Sequence, residues 1–538
     1  MARAITRRAF VSAATAAAAL AGTACTTTPQ QGASSTDTYT KSVSASKRVE
    51  DLLGTMSLEQ KIAQMIMLAI RTWEGKDNGV TDLSAVPDLA AALQKHQYGG
   101  VILLGVNIRD TKQTLRLISD LQTNNAKGAG TASTSTIPYF VAADQEGGSV
   151  ARLNMGTRGT GSMAIGATGE AAAQNAQDTG TVFGTELASL GINVNLAPCV
   201  DVICDLADSG MSTRIFSDDP KVVTDCALGF AQGVSKSGVV TCYKHFPGAG
   251  DGSDDPTAIP RTIDELQKGG LIPYTAAIGN GAAMVMTSAC TFPNIDDEVT
   301  LADGKTRGYY PATISPKIVS NMLRGELGFK GVIMTDALEM DQFFSEPKTG
   351  DAILPGARVE NAIAGTVTGD EGASTRIYID RYYDLGEGAL VWGDGLSDAI
   401  AKADYVICLC ATWAGLDKLQ DSDGRMQGVT RALNEAHAAK AKFVLLSDNL
   451  PVDGARFPEA DAVVCCYLST GFDVDPTTGS GSENMRAINA NAPAALRAIF
   501  GSAAMPGKLP INVRAMKKGE DGKWTYTGEV LYARGTGA

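Results

Sequence analysis

Gly331-Val332-Ile333-Met334-Thr335-Asp336-Ala337-Leu338-Glu339-Met340 decides how the rest of the chain is read. Its apolar, β-branched run has the composition of a buried strand. The run stops on a single acidic residue, Asp336, followed by helix-forming residues. In a parallel α/β protein, ligands and catalytic groups collect at the carboxyl ends of strands. Working outward, the same design recurs. Gly238-Val239-Val240-Thr241-Cys242-Tyr243-Lys244-His245-Phe246-Pro247-Gly248 carries a Lys-His pair at a strand end and stops at Pro-Gly. Tyr139-Phe140-Val141-Ala142-Ala143-Asp144-Gln145-Glu146-Gly147-Gly148 ends on Asp144. Three strand ends thus offer a carboxylate, a cation with an imidazole, and a second carboxylate. Such a set suits the holding and cutting of a neutral polyhydroxyl ligand.

Between these ends, strand patterns alternate with helical ones. Strand candidates are Gly100–Leu104, Tyr139–Ala143, Val194–Ala197, Val239–Tyr243, Ala283–Thr287 and Val332–Thr335. Helical periodicity covers Thr111–Asn124, Ala171–Leu190, Val222–Ser237 and Ser315–Leu327. Ser57-Leu58-Glu59-Gln60 is a capping box opening an apolar helix through Met67. More than five βα units with polar strand ends favour a TIM-type (β/α)8 barrel, with irregularity where the last unit blurs after Met340. This α/β barrel domain is placed at residues 49–345. Residues 346–395, rich in Gly, Pro and charge, read as linker or insertion, with one strand-like piece at Arg376–Asp380. A smaller α/β sandwich domain follows at 396–538. Its strands are Tyr405–Cys410, Phe443–Ser447 and Ala462–Tyr467, with a helix at Pro493–Phe500 and a closing strand in Gly507–Val513. Asp521-Gly522 predicts a terminal hairpin.

Residues 1–25 read as a targeting segment and 26–48 as a Ser/Thr-rich tether. Thr6-Arg7-Arg8-Ala9-Phe10-Val11 before an Ala-rich apolar run is the pattern of a twin-arginine export signal. Cys25 after small residues resembles a lipoprotein cleavage site, although Gly22 stands where an aliphatic residue is usual. Two readings stay open, lipidation of Cys25 or ordinary secretion with cleavage nearby. The expected location is outside the bacterial membrane, with membrane contact only through such an anchor. Net charge is −13, with no long basic run after the N-terminus, which argues against nucleic acid as a partner. The ten cysteines lie mostly in apolar runs, among them Cys199, Cys242, Cys408, Cys410, Cys465 and Cys466. They read as buried thiols rather than a disulfide framework. The chain has three histidines and no metal-type Cys/His spacing, so neither metal nor cofactor is expected.

The motifs taken together resemble glycoside hydrolase family 3, over about Val49 to Gly535. They are Met56-Ser57-Leu58-Glu59-Gln60-Lys61, Asp144-Gln145-Glu146-Gly147-Gly148 with Arg152, Asn195-Leu196-Ala197-Pro198, Arg214-Ile215-Phe216-Ser217, Lys244-His245-Phe246-Pro247-Gly248 and Gly331–Met340. Gly507-Lys508-Leu509-Pro510 and Leu531-Tyr532-Ala533-Arg534-Gly535 are similar to the family's second domain and its end. The Lys-His-Phe-Pro-Gly form is similar to the β-N-acetylglucosaminidase branch. The resemblance implies Asp336 as catalytic nucleophile. It implies Asp144, Arg152, Arg214, Lys244 and His245 as residues that hold the sugar. It also implies terminal β-linked N-acetylhexosamine, in peptidoglycan fragments or chitin-type oligosaccharides, as substrate.

The sequence departs from that branch at one place. There the loop after the Lys-His motif carries an Asp-Ser-His element whose histidine is the general acid/base. Here Asp255 matches the Asp, but Thr257 stands in the histidine's place. A threonine hydroxyl is no proton donor near neutral pH. Asp254 and Asp255 are substitute acids, since one of two close carboxylates can retain a proton. Asp370, Glu371 and Glu387 are others by location. Three functions therefore stay open: an N-acetylhexosaminidase, a β-glucosidase-type exo-hydrolase with an acid from the second domain, and a catalytically silent sugar-binding surface protein.

Overall fold

The computed structural model describes residues 47, 49–71, 73, 79–128, 137–153, 155–203, 211–250, 258–300, 307–338, 383–384, 390–392, 395–410, 416–447, 449–467, 491–499 and 504–537. The targeting segment and tether up to residue 46, Cys25 included, lie outside these residues. So do the loop with Asp254, Asp255 and Thr257, the insertion with Asp370, Glu371 and the Arg376–Asp380 piece, and Glu387.

Contacts divide the chain into two units, one of residues 1–62 with 131–135 and one of the remaining residues. In the first unit, the Gln60 amide donates to Ser57 Oγ at 3.2 Å and the Ser57 amide donates to Gln60 Oε1 at 2.9 Å. That reciprocal pair is the expected capping box. The helix it opens, Leu58–Gln64, stops short of Met67.

The second unit begins its sheet where helix was expected, at β1 (Met67–Ala69). Three apolar residues carry no period that separates strand from helix, and parallel pairing with β2 (Gly100–Ile102) decides the matter. Next come β3 (Phe140–Ala143) and the small antiparallel pair β4 (Gln145–Gly147) and β5 (Val150–Ala151). Gly147 and Gly148 turn the chain between β4 and β5 at φ 95° and 60°. The sheet continues through β6 (Val194–Asn195), β7 (Val240–Phe246) and β8 (Met284–Thr287). After the short pair β9 (Val299–Thr300) and β10 (Arg307–Gly308), it takes β11 (Val332–Thr335). Spatial order is β1-β2-β3-β6-β7-β8-β11, parallel throughout, a barrel-like half-turn of seven strands among the described residues. Helices Thr111–Gly128, Ala172–Leu190 and Pro220–Ser235 fall where the periodicity predicts, shifted by a few residues at their ends.

Helices Ala172–Leu190 and Pro220–Ser235 pack almost backbone on backbone. A Cβ on Gly180 would lie 2.2 Å from the Phe230 carbonyl oxygen, and one on Gly233 would lie 2.1 Å from that of Gln177. Glycine in a helix interior costs about 0.5–1 kcal/mol relative to alanine, so its use here is dictated by the close approach.

After β12 (Tyr383–Asp384) and β13 (Leu390–Val391) comes a second parallel sheet of β14 (Tyr405–Cys410), β15 (Lys442–Ser447) and β16 (Ala462–Cys465). No strand forms at Gly507–Asn512. Instead β17 (Val513–Lys518) folds back on β18 (Trp524–Tyr532) in the predicted hairpin. One apolar cluster joins Met163, Cys199, Met211 and Ile215, from segments between the first sheet's strands, to Phe443, Leu445 and Ile511 of the second domain. Eight described cysteines are free thiols, seven of them buried.

Gly233→Ala should therefore destabilise the protein although alanine is the better helix former. Denaturant unfolding should give a loss of about 1–3 kcal/mol, the usual cost of overpacking. A gain in stability would contradict the close helix contact.

Candidate active site

The site is built at the carboxyl ends of β3, β6, β7 and β11. Asn195, at the end of β6, clamps the backbone just beyond β3. The Gln145 amide donates to Asn195 Oδ1 and Asn195 Nδ2 donates to the Gln145 carbonyl, each at 3.0 Å. The Gln145 side chain accepts from the Arg152 amide at 2.8 Å, tying β4 to β5. With Gln145 held on one side, Asp144 and Glu146 project from the other, as alternation requires.

β7 supplies the cation by a departure from regular pairing. Tyr243 pairs with Val285 and Phe246 with Thr287, so Lys244 and His245 together oppose one residue of β8. This bulge turns both side chains into the site, where a regular strand would send one to each face. It also explains why the strand runs through Phe246 rather than ending at Tyr243. The Lys244–His245 peptide is cis.

Lys244 Nζ lies 2.9 Å from Asp144 Oδ1 and 2.6 Å from Glu146 Oε1, and its side chain is 2% exposed. Arg214, from the turn Ser212–Arg214, grips Glu146 with both Nε and Nη2 at 2.9 Å. That planar two-point contact is the strongest geometry available to a carboxylate. Arg152 Nη2 stands 3.6 Å from Asp144 Oδ2. Burial pushes the Asp144 carboxyl up, but Lys244 and Arg152 outweigh it and hold it below the usual carboxylate range. Burial likewise raises Glu146, and Arg214 and Lys244 reverse the effect and hold it far below that range. Lys244 is raised: burial opposes its charge, and Asp144 and Glu146 more than restore it. All three groups are thus held charged in a buried setting.

Asp336 sits differently. It follows β11, its side chain is 21% exposed, and its Oδ1 accepts from the Ala337 amide at 2.8 Å. The basic group within 4 Å of it among the described residues is His245, with Nε2 3.9 Å from Oδ2. On the other side of the ring, His245 Nδ1 is 2.9 Å from Oδ2 of Asp201, whose side chain is fully buried. The structure therefore places Asp144, Arg152, Arg214, Lys244, His245 and Asp336 in one linked cluster. Sequence reasoning gave no role to Glu146, Asn195 or Asp201. For Asp201, the available signal was an acidic residue inside the apolar run Cys199-Val200-Asp201-Val202-Ile203.

Cys199 Sγ, Asp201 and His245 offer donor atoms within 4.8 Å of one another, close enough in principle for a metal ion. Each is already committed. Cys199 Sγ lies 3.7 Å from Glu146 Oε2, and Asp201 is hydrogen-bonded to His245. Burial, with Glu146 nearby, pushes the Cys199 thiol well up, which disfavours the thiolate a metal needs.

Strand-end carboxylates thus surround a buried cation on a parallel barrel-like sheet. Residues 57–356 match the glycosyl hydrolase family 3 N-terminal domain. The chain belongs to this family, and within it to the β-hexosaminidase branch. It is 35% identical over 299 residues to β-hexosaminidase A of Pseudoalteromonas piscicida, covering 53% of this chain and 49% of that protein. The chain thus spans about half the length of that relative. It is 31% identical over 257 residues to a β-hexosaminidase of Stenotrophomonas maltophilia, covering 46% of this chain and 70% of that one. The fold is shared with a family 3 β-N-acetylglucosaminidase of Paenibacillus sp., with a TM-score of 0.58 at 20% identity, over 85% of this chain and 99% of the other.

The depressed carboxyls set a sign for pH dependence. Their stabilisation is fully present above their ordinary values of 3.8 and 4.5, and is lost as pH falls through the lower folded values. Glu146→Gln should cost about 3–5 kcal/mol at neutral pH, because it leaves Lys244 and Arg214 under-compensated in a buried place. It should also make the fall of stability below pH 4.5 shallower, since one depressed group is gone. Denaturant unfolding at stepped pH checks both. An unchanged acid slope would contradict the reading of Glu146.

Proposed function

We propose that the protein is a retaining exo-β-N-acetylhexosaminidase that removes terminal β-linked N-acetylglucosamine. One observation carries the reading. Asp336 is a partly exposed carboxylate at a strand end, beside His245 and above charges that are already paired. A carboxylate spent in a salt bridge is a poor nucleophile, whereas Asp336 keeps an oxygen turned to His245 and the open end of the site. The family membership and the β-hexosaminidase relatives support the sugar class.

In the proposed reaction, Asp144, Arg152, Lys244 and His245 hold the hydroxyls of the terminal sugar. Arg214 acts on Glu146, keeping that carboxylate in place under Lys244. An oxygen of Asp336 attacks the anomeric carbon as the glycosidic C–O bond breaks, giving a covalent glycosyl-enzyme. The leaving oxygen takes a proton from a general acid. Water then cleaves the ester, and the same acid, now a base, takes the water's proton. Asp255 or Asp254, in the loop after β7, is proposed as that acid in place of the histidine replaced by Thr257. Peptidoglycan fragments or chitin-type oligosaccharides are the proposed natural substrates. Export on the Arg7-Arg8 signal, with Cys25 as the proposed lipid anchor, would place the enzyme where such glycans occur.

Asp336→Asn should lower turnover of 4-nitrophenyl N-acetyl-β-glucosaminide by at least about four orders of magnitude, the scale lost with a covalent nucleophile. More than a few per cent of residual activity would sink the assignment. Thr257 favours one rival, the silent sugar-binding protein. Wild-type protein that binds N-acetylglucosamine yet turns over neither the aryl glycoside nor a disaccharide would establish that rival instead.

A further inference from the structure

We infer that Asp201 is a positioning residue for the reaction, which fixes the hydrogen on His245 Nδ1 and aims Nε2 at Asp336. The inference rests on the proposed role of Asp336 as nucleophile. Asp201 is fully buried, and both of its oxygens are occupied. Oδ2 accepts from the His245 backbone amide at 3.2 Å and faces the ring Nδ1 at 2.9 Å. Oδ1 accepts from the Ala249 amide at 2.5 Å. With two backbone amides already donating to it, the Asp201 carboxylate is placed as an acceptor and Nδ1 as the donor. The hydrogen bond at one ring nitrogen settles which nitrogen is left for chemistry. Here that nitrogen is Nε2, 3.9 Å from Asp336 Oδ2.

The geometry goes beyond a tautomer. Asp201 holds the ring of His245, the backbone of the same residue and the amide of Ala249, all with one carboxylate. These bonds fix the ring plane relative to the bulge in β7. The bulge, in turn, is tied to the segment carrying Asp201, because the Val200 amide donates to the Lys244 carbonyl at 2.8 Å. Asp201 touches neither Asp336 nor the open end of the site. Its effect on the reaction runs through His245. A ring turned over would carry Nε2 away from Asp336 and from the sugar it is proposed to hold.

Asp201→Asn separates this role from mere packing. The amide is isosteric but has only one acceptor atom. It can satisfy either the Ala249 amide or the His245 side, and the NH2 must face the other. We expect kcat on 4-nitrophenyl N-acetyl-β-glucosaminide to fall about 10- to 100-fold, as for lost partners of ligating histidines, with KM changed less than about threefold. The chain has only three histidines, so 15N-histidine spectra resolve each ring once His96→Gln and His437→Gln assign the other two. The wild type should carry a hydrogen on Nδ1 of His245, and Asp201→Asn should lose that state. A wild-type His245 with hydrogen on Nε2 alone overturns the inference without any variant. So does an Asp201→Asn protein with wild-type kcat, or one whose activity loss comes with an unchanged His245 spectrum. Labelling with 5-fluoro-N-acetylglucosaminyl fluoride keeps the two proposals apart. No adduct on Asp336 in the wild type refutes the nucleophile assignment, whereas the spectra, taken on free protein, judge Asp201 and His245 independently.

Discussion

Lys244 is the group on which the site depends. Its ammonium, almost wholly buried, is shared by Asp144, just past β3, and Glu146, in β4, across the intervening strand β6. A buried charge without partners costs several kcal/mol, so none of these side chains could occupy its place alone. Arg214 completes the balance by taking the remaining face of Glu146. The consequence is rigidity. Two carboxylates and two cations lock the ends of β3, β7 and the Arg214 turn together before any ligand arrives. Preorganised charge of this kind avoids reorganisation during reaction.

The second domain reaches into the same arrangement from behind. Ser217, three residues after Arg214, donates to the Pro510 carbonyl. Asp218 accepts from the backbone and side-chain amides of Asn512 at 2.9 and 3.0 Å, and pairs with Arg534. Arg534 also reaches Asp219 at 3.2 Å. The turn that presents Arg214 is therefore braced by the segments Pro510–Asn512 and Arg534. This gives the Gly507–Pro510 and Leu531–Gly535 motifs a physical purpose: they hold the loop that holds Glu146.

Much of this was legible in the sequence, for definable reasons. Long apolar runs bounded by glycine, such as Gly331–Thr335, read as strands, and β11 and β14 fall at the expected positions, although β11 is not buried as expected among the described residues and Val332 is exposed. Polar residues at strand ends marked Asp144, Lys244, His245 and Asp336 because an acidic or basic group closing an apolar strand needs a reason. Three features were hidden. β1 is three residues long, too short for periodicity to separate it from the preceding helix. The β7 bulge arises from register against β8, which no local pattern encodes. Asp201 acquires meaning only through His245, 44 residues later, when folding places their side chains 2.9 Å apart.

The proposed nucleophile role of Asp336 requires two displacements at the anomeric carbon. The stereochemistry of the first-formed sugar tests this directly. Proton NMR during hydrolysis of 4-nitrophenyl N-acetyl-β-glucosaminide should record β-N-acetylglucosamine first, followed by slow mutarotation to the equilibrium mixture. Initial release of the α-anomer would mean a single displacement by water, and would contradict the role assigned to Asp336.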